Sequence, residues 1–326
     1  MSIIRCFSYQ FSNPLGGEMY DTVKLDLENL GEVSYTIEEV AKYIDVVGEK
    51  NYRGYHSIIG YNENLRIGLN NYSLTVEGSL PKWYLGDNLQ TMGRAEARCA
   101  VEKLSDTLHL PMEKAEVKRL DIAQNILVKH KPELYLTHLG SLAKFNRFMS
   151  SGTLYYSNSQ LNLVFYDKVK EQKRKMLPIP ELLKERNLLR YELRFKKRID
   201  RQFNHYPIDA KLLSDEEFYI NIIDKWKSCY ERIEKYEYLP IDIKAMKTKK
   251  DLQRAAIANL VKGFGGKDKF DELIKEEYLK GELTKKQAHD LREAVNEALR
   301  IEANGRENEL IKELSQKVKD IARFYR

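Results

Sequence analysis

The chain has 326 residues, 42% of them hydrophobic and 32% charged, with a net charge of +6. That length allows one large domain or two smaller ones around a substantial core, and no apolar run is long enough to span a membrane. Three cysteines, Cys6, Cys99 and Cys229, stand too far apart for a metal spacing or a disulfide framework, which suits a reducing cytosol.

Residues 1–18 read as an appendage, without the apolar run of a signal peptide. Gly16-Gly17-Glu18 directly precedes Met19, and the purine-rich codons of those residues suit a ribosome-binding site, so Met19 is expected as the natural start. The first strand is predicted over Tyr20–Leu27 and a helix over 37–47. A β-rich run follows: Tyr55–Ile59, Leu65–Gly68 and Tyr72–Glu77, with a turn at Asn62-Glu63-Asn64. Pro81 ends that run, and a helix is predicted from about Arg94 to Leu108. The pattern then repeats. Val117–Leu127 is a strand, Lys131–Leu134 opens a short helix, and Gly152–Ser157 and Leu161–Lys168 are strands turned by Asn158-Ser159. A basic segment with Pro178 and Pro180 leads to a last strand, Leu188–Lys196. A strand, a helix and further strands, twice over, predict an α+β domain with an antiparallel sheet in two related β-rich halves.

After about residue 205 the pattern turns helical. Ser214 and Glu217 form a predicted capping box for a helix reaching about Lys235, and Pro240 interrupts. A helix over 249–262 is closed by Gly263. Thr284 and Gln287 cap another, with Leu291, Ala294, Val295, Ala298 and Leu299 as its apolar stripe, and a last helix runs from Glu307 to Arg326. The predicted organisation is an extension over 1–18, a sheet domain over 19–205 and a helical region over 206–326.

Side chains on a strand alternate between faces, and four strands place polar groups on one face each. These are Ser73, Thr75 and Glu77; Arg119, Asp121 and Asn125; Tyr166 and Lys168; and Arg190, Glu192, Arg194 and Lys196. If these strands share a sheet, one face gathers three carboxylates, a phenol and several cations. Carboxylates are hard ligands suited to Mg²⁺ or Mn²⁺, and a phenol beside a fixed cation is a candidate nucleophile for a phosphodiester. Between Asp167 and Arg201 thirteen Lys and Arg stand against six Asp and Glu, a local excess that suits a polyanionic partner. The same patterns suit an amphipathic sheet facing water and a solvated charged helix. Tyr191 shares parity with Leu189, Leu193 and Phe195 and should enter the core, whereas Tyr155 and Tyr156 point to opposite faces, so one of them could reach the site.

Val117-Lys118-Arg119-Leu120-Asp121-Ile122-Ala123, the run from Leu163 to Glu171 and Leu189-Arg190-Tyr191-Glu192-Leu193-Arg194 occur in this order. With Val76-Glu77-Gly78-Ser79-Leu80-Pro81-Lys82 and Gly86-Asp87-Asn88, they resemble the phage and plasmid replication proteins of the filamentous-phage gene II type and the related Rep_trans plasmid initiators. Asp87 stands where that family has a histidine. No His-hydrophobic-His motif occurs, so carboxylates would have to replace the usual metal site of rolling-circle nucleases. The resemblance covers about residues 19–205.

It implies a replication-initiator nuclease-like fold and a metal-dependent, site-specific DNA nickase and strand transferase that initiates rolling-circle replication in the bacterial cytoplasm. Tyr166 would be the nucleophile, holding the 5′-phosphate. Lys168 would stabilise the phosphorane or lower the tyrosine pKa, and Glu77, Asp121 and Glu192 would hold Mg²⁺ or Mn²⁺. Arg119, Arg190 and Arg194 would hold flanking phosphates of origin DNA or order the carboxylates, and Lys82, Lys173, Arg174 and Lys175 would contact that DNA, single-stranded or in a hairpin, with a host helicase and polymerase as further partners and no membrane. The alternatives are a relaxase using the same chemistry and a non-catalytic origin-binding protein.

Overall fold

The computed structural model describes residues 19–28, 30, 37–89, 92–235, 247–264, 266–302 and 309–325. The expected extension, Pro240 and the ends of the last helix lie outside them. Ten strands form one sheet: β1 (Tyr20–Glu28), β2 (Asp45–Tyr52), β3 (Tyr55–Asn62), β4 (Leu65–Asn70), β5 (Ser73–Ser79), β6 (Glu116–Val128), β7 (Asn146–Ser150), β8 (Thr153–Ser157), β9 (Leu161–Asp167) and β10 (Asn187–Phe195). Their order is β2-β3-β4-β5-β1-β6-β10-β9-β8-β7, with antiparallel neighbours throughout. The two halves are therefore related, as expected: each begins on a central strand, jumps to the edge and returns strand by strand. Both edge hairpins turn through two residues of positive φ, Arg53-Gly54 and Ser151-Gly152, the tight connection that suits twisted strands.

The edge strands β2 and β7 are exposed along their whole length, and the sequence pattern predicts neither. A strand with no buried face carries no apolar alternation for sequence reading to find.

The helices that punctuate and follow these strands in the chain are α1 (Ile37–Ala41), α2 (Leu80–Leu85), α3 (Arg94–Leu108), α4 (Pro132–Leu136), α5 (Lys168–Arg174), α6 (Glu181–Lys184), α7 (Ile199–Phe203) and α8 (Glu216–Glu231). The apolar face of the sheet packs on α8. The Tyr191 ring lies between Phe165 at 4.3 Å and Trp226 at 4.7 Å, and its hydroxyl donates to the Trp226 carbonyl at 3.0 Å. Tyr191 is thus a core residue, as its parity predicts. Burying side chains of this size contributes about 1.5–3 kcal/mol each. The cap of α8 is Asp215, whose carboxylate accepts from Phe218 N at 2.8 Å. Ser214, the expected cap, instead donates to the Lys211 carbonyl, because a short 3₁₀ turn holds it one residue too early.

The chain divides into two compact units. The first comprises the residues up to Glu133, Leu142–Arg232 and those from Lys317 on, so the sheet unit continues past 205 to take in α8. The second, Leu134–Ser141 and Ile233–Gln316, carries α9 (Lys249–Gly263), α10 (Lys267–Leu279), α11 (Lys285–Glu302) and the start of α12 (Glu309–Phe324). Thr284 and Gln287 form the predicted reciprocal cap of α11, with bonds of 2.8 and 3.3 Å. Among the described residues no helix is long and apolar enough to cross a membrane.

Candidate active site

The site lies on the polar face of the central strands, and the register explains its composition. Arg194 pairs with Asp121 and Arg190 with Asn125 across β10 and β6. On the other side of β10, Arg190 pairs with Tyr166 of β9. Glu77 on β5 and Arg119 on β6 both pair with Lys24 of β1, from its two sides.

Alternating charges connect these residues. Arg119 donates to Glu77 Oε1 at 3.1 Å and to both oxygens of Asp121 at 2.9 and 2.7 Å. Arg194 Nε lies 3.7 Å from Asp121 Oδ2, and its Nη2 donates to Glu192 Oε2 at 2.6 Å. Arg190 donates to Glu192 Oε1 at 2.8 Å, Asp21 Oδ2 at 2.7 Å, Asn125 Oδ1 at 3.1 Å and the Asn88 carbonyl at 3.2 Å. Tyr166 completes the cluster, its hydroxyl donating to Glu192 Oε1 at 2.6 Å.

One end of this chain of charges is dry and the other open. Arg190 is fully buried and Glu192 nearly so, whereas the side chains of Arg119, Glu77 and Arg194 are 30, 32 and 29% exposed. Burial raises the Tyr166 phenol well above its ordinary pKa; Arg190 opposes the rise and Glu192 adds to it. The resting hydroxyl is therefore protonated, contrary to the depressed pKa considered from sequence. Burial also works against the Glu192 carboxylate, but Arg190 and Arg194 outweigh it and hold the group ionised. At Asp121 burial wins over Arg119 and Arg194 and lifts the carboxyl to about 6.

Lys168 departs from expectation. Strand β9 ends at Asp167, whose carboxylate accepts from Lys170 N at 2.9 Å and caps α5. Lys168 is thus the first helical residue, not a strand partner of Tyr166. Its ammonium is buried and donates to Asn88 Oδ1 at 3.1 Å and Glu171 Oε2 at 3.0 Å. Burial first, and then Arg190, lower its pKa to about 8. The cation across the strand pair from Tyr166 is Arg190.

Sequence reasoning misses two members. Strict alternation groups Asp21 with Val23, Leu25 and Leu27, but the register breaks between Tyr20 and Val23. The irregularity brings Asp21 to Arg190 and to Ser79, which donates to it at 2.8 Å. Glu171 is the other, and its spacing of three from Lys168 is the available signal. Asp87 accepts from Leu89 N at 2.9 Å, a local turn bond. That turn presents Asn88 to Arg190 and Lys168, and Asn125 holds it by donating to the Leu89 carbonyl at 2.8 Å.

Glu77, Asp121 and Glu192 share the face as predicted, but in this arrangement they do not fit Mg²⁺ or Mn²⁺. A guanidinium stands between each neighbouring pair, and among the described residues no group of three or more His, Cys, Asp and Glu side chains is disposed to hold a metal ion. Lys82 lies on α2 outside this network. Lys173, Arg174 and Lys175 are exposed at the end of α5 and just beyond, with Lys175 paired to Glu171.

No curated protein matches the chain. The Phage_CRI family, described as the N-terminal part of the gene II replication-associated protein, matches residues 19–228, the stretch holding all ten strands and the polar-face network. The chain belongs to this family of phage replication initiators of the gene II type.

Proposed function

We propose that the protein nicks one strand at a replication origin, in the cytoplasm of the bacterial host, with Tyr166 as the nucleophile and Glu192 as the acceptor of its proton. The observation that carries this reading is the 2.6 Å hydrogen bond from the Tyr166 hydroxyl to Glu192 Oε1, within a cluster holding three guanidiniums. A nucleophile hydrogen-bonded to a base that other groups orient is the arrangement covalent catalysis needs.

In the reaction the Tyr166 oxygen bonds to the scissile phosphorus and the bond from phosphorus to the 3′-oxygen breaks. The phenolic proton passes to Glu192 and on to the departing 3′-oxygen. The 5′-phosphate stays on the tyrosine, and the free 3′-hydroxyl primes a host polymerase working with a host helicase. A phenol raised by burial favours transfer of the proton during attack over a preformed phenolate. Arg119 and Arg194, at the open end, are the groups available to the phosphorane charge. An incoming phosphate that draws Arg194 away would also make Glu192 a stronger base. Asp121 and Glu192 would be open to Mg²⁺ or Mn²⁺ only after such a movement.

The test is a covalent-adduct assay on single-stranded origin oligonucleotides, with and without metal, mapped by peptide mass spectrometry. A DNA-linked peptide containing Tyr166 is expected. Binding without any adduct would leave an origin-binding protein, and a linked peptide containing Tyr155 or Tyr156 alone would move the nucleophile.

A further inference from the structure

The ladder that holds Glu192 continues outward on the polar face to the sheet edge. Glu192 pairs with Val164, Val164 with Tyr155, and Tyr155 with Phe148 on the edge strand β7. At about 4.8 Å per strand, Tyr155 lies about 10 Å and Phe148 about 14 Å from the Glu192 backbone. The two rings stack, with centroids 4.9 Å apart and planes 10° from parallel, and Phe148 is 43% exposed. An apolar residue on an exposed edge is a liability that proteins usually blunt with charge or proline. Counted from the edge turns, the places of Phe148 and Tyr155 are taken in the first half by Lys50 and Ser57, which pair with each other and carry no ring. Among the described residues, the stacked pair at this position belongs to the half with Tyr166 and Glu192, on the same face as that site.

We propose that Tyr155 and Phe148 form a platform on which an unpaired base of the DNA strand entering the site stacks. A base added to the open side of Phe148 extends a stack that is already built, and stacking of this kind tolerates any sequence because every base has a π-face. The platform holds the nucleotides beside the scissile phosphate single-stranded and in line with Tyr166. It rests on the nickase reading for its purpose, not for its measurement.

The probe is an oligothymidylate carrying one 2-aminopurine, bound by the full chain, with a duplex of equal length as control. Phe148→Ala is expected to weaken single-strand binding about ten-fold, abolish the 2-aminopurine quench and leave duplex binding within two-fold. Phe148→Leu keeps the bulk without the ring and should behave like alanine, whereas Phe148→Tyr should restore both signals; melting curves check the fold of each variant. Unchanged single-strand affinity and quench in Phe148→Ala, or equal losses for single strand and duplex, would overturn the platform. Neither readout involves cleavage, so an adduct on another tyrosine would refute the nucleophile and leave the platform standing.

Discussion

Outward from the central β1–β6 pair, each half of the sheet passes through four more strands and closes its edge hairpin through a two-residue turn ending in glycine. Counted from those turns, the second half has Phe148 where the first has Lys50, Tyr155 for Ser57 and Val164 for Asn70. Asn70 ends β4 beside the turn to β5. Its carboxamide serves only the local turn, accepting from Tyr72 N and Ser73 N at 2.9 and 3.1 Å. Thr75 donates to Asp26 at 3.3 Å, a neutral donor's contact where the other half has two guanidiniums on one carboxylate. The comparison teaches that the backbone frame does not make the site. Two halves share one strand order, and the phenol–carboxylate pair follows the outward side chains of β9 and β10.

The largest effect expected from breaking this asymmetry is at the nucleophile. Tyr166→Phe should lower covalent adduct formation by at least ~10³-fold while origin binding survives, and Tyr155→Phe and Tyr156→Phe should each keep at least part of the activity. Adding Asn70→Tyr to Tyr166→Phe should restore nothing, since the groups that Asn70 bonds belong to a local turn and include no carboxylate. An adduct on residue 70 in that double variant would show that the frame alone suffices.

Next come the carboxylates. Glu192→Gln should cut nicking by about 10²–10⁴-fold with origin binding largely intact, and Asp121→Asn should reduce it sharply. Removing Glu192 also leaves Arg190 and Arg194 without their shared partner, at a stability cost of about 3–5 kcal/mol. Rates must therefore be normalised to the folded fraction. In the first half, Thr75→Ala should cost about 1 kcal/mol or less and leave nicking unchanged. Equal effects at 75 and 192 would make the cluster purely structural.

A smaller effect is expected outside the ladder. Neutralising Lys173, Arg174 and Lys175 together should flatten the slope of log affinity against log salt by up to about three units. An unchanged slope would mean that the end of α5 faces away from DNA.

The last concerns Lys168, buried beside the site. Its folded pKa, about 8, lies below the ordinary 10.5, so between those values the unfolded chain binds the extra proton. Its contribution to stability is therefore full above about 10.5 and lost as pH falls through about 8, a change of no more than about 3 kcal/mol. Chemical denaturation between pH 7 and 10 should show wild-type stability rising with pH relative to Lys168→Met. Parallel curves would sink the assignment.

Much of this was legible in the sequence because the two-residue period of a strand is local. Alternation placed Arg119, Asp121 and Asn125, and Arg190, Glu192 and Arg194, on one face each, put Tyr191 in the core, and marked the two related halves. The edges β2 and β7 were not legible, since burial writes the pattern that sequence reading looks for and they have none. Tertiary structure alone decided which faces meet. Only the register sets Arg190 beside Tyr166 and lets Glu192 receive its hydroxyl, and only a register break turns Asp21 toward Arg190. Only the packing of α5 and the 86–89 turn over the strands carries Lys168 away to Asn88 and Glu171. Those pairings join residues up to 169 positions apart, and no local period encodes a partner at that distance.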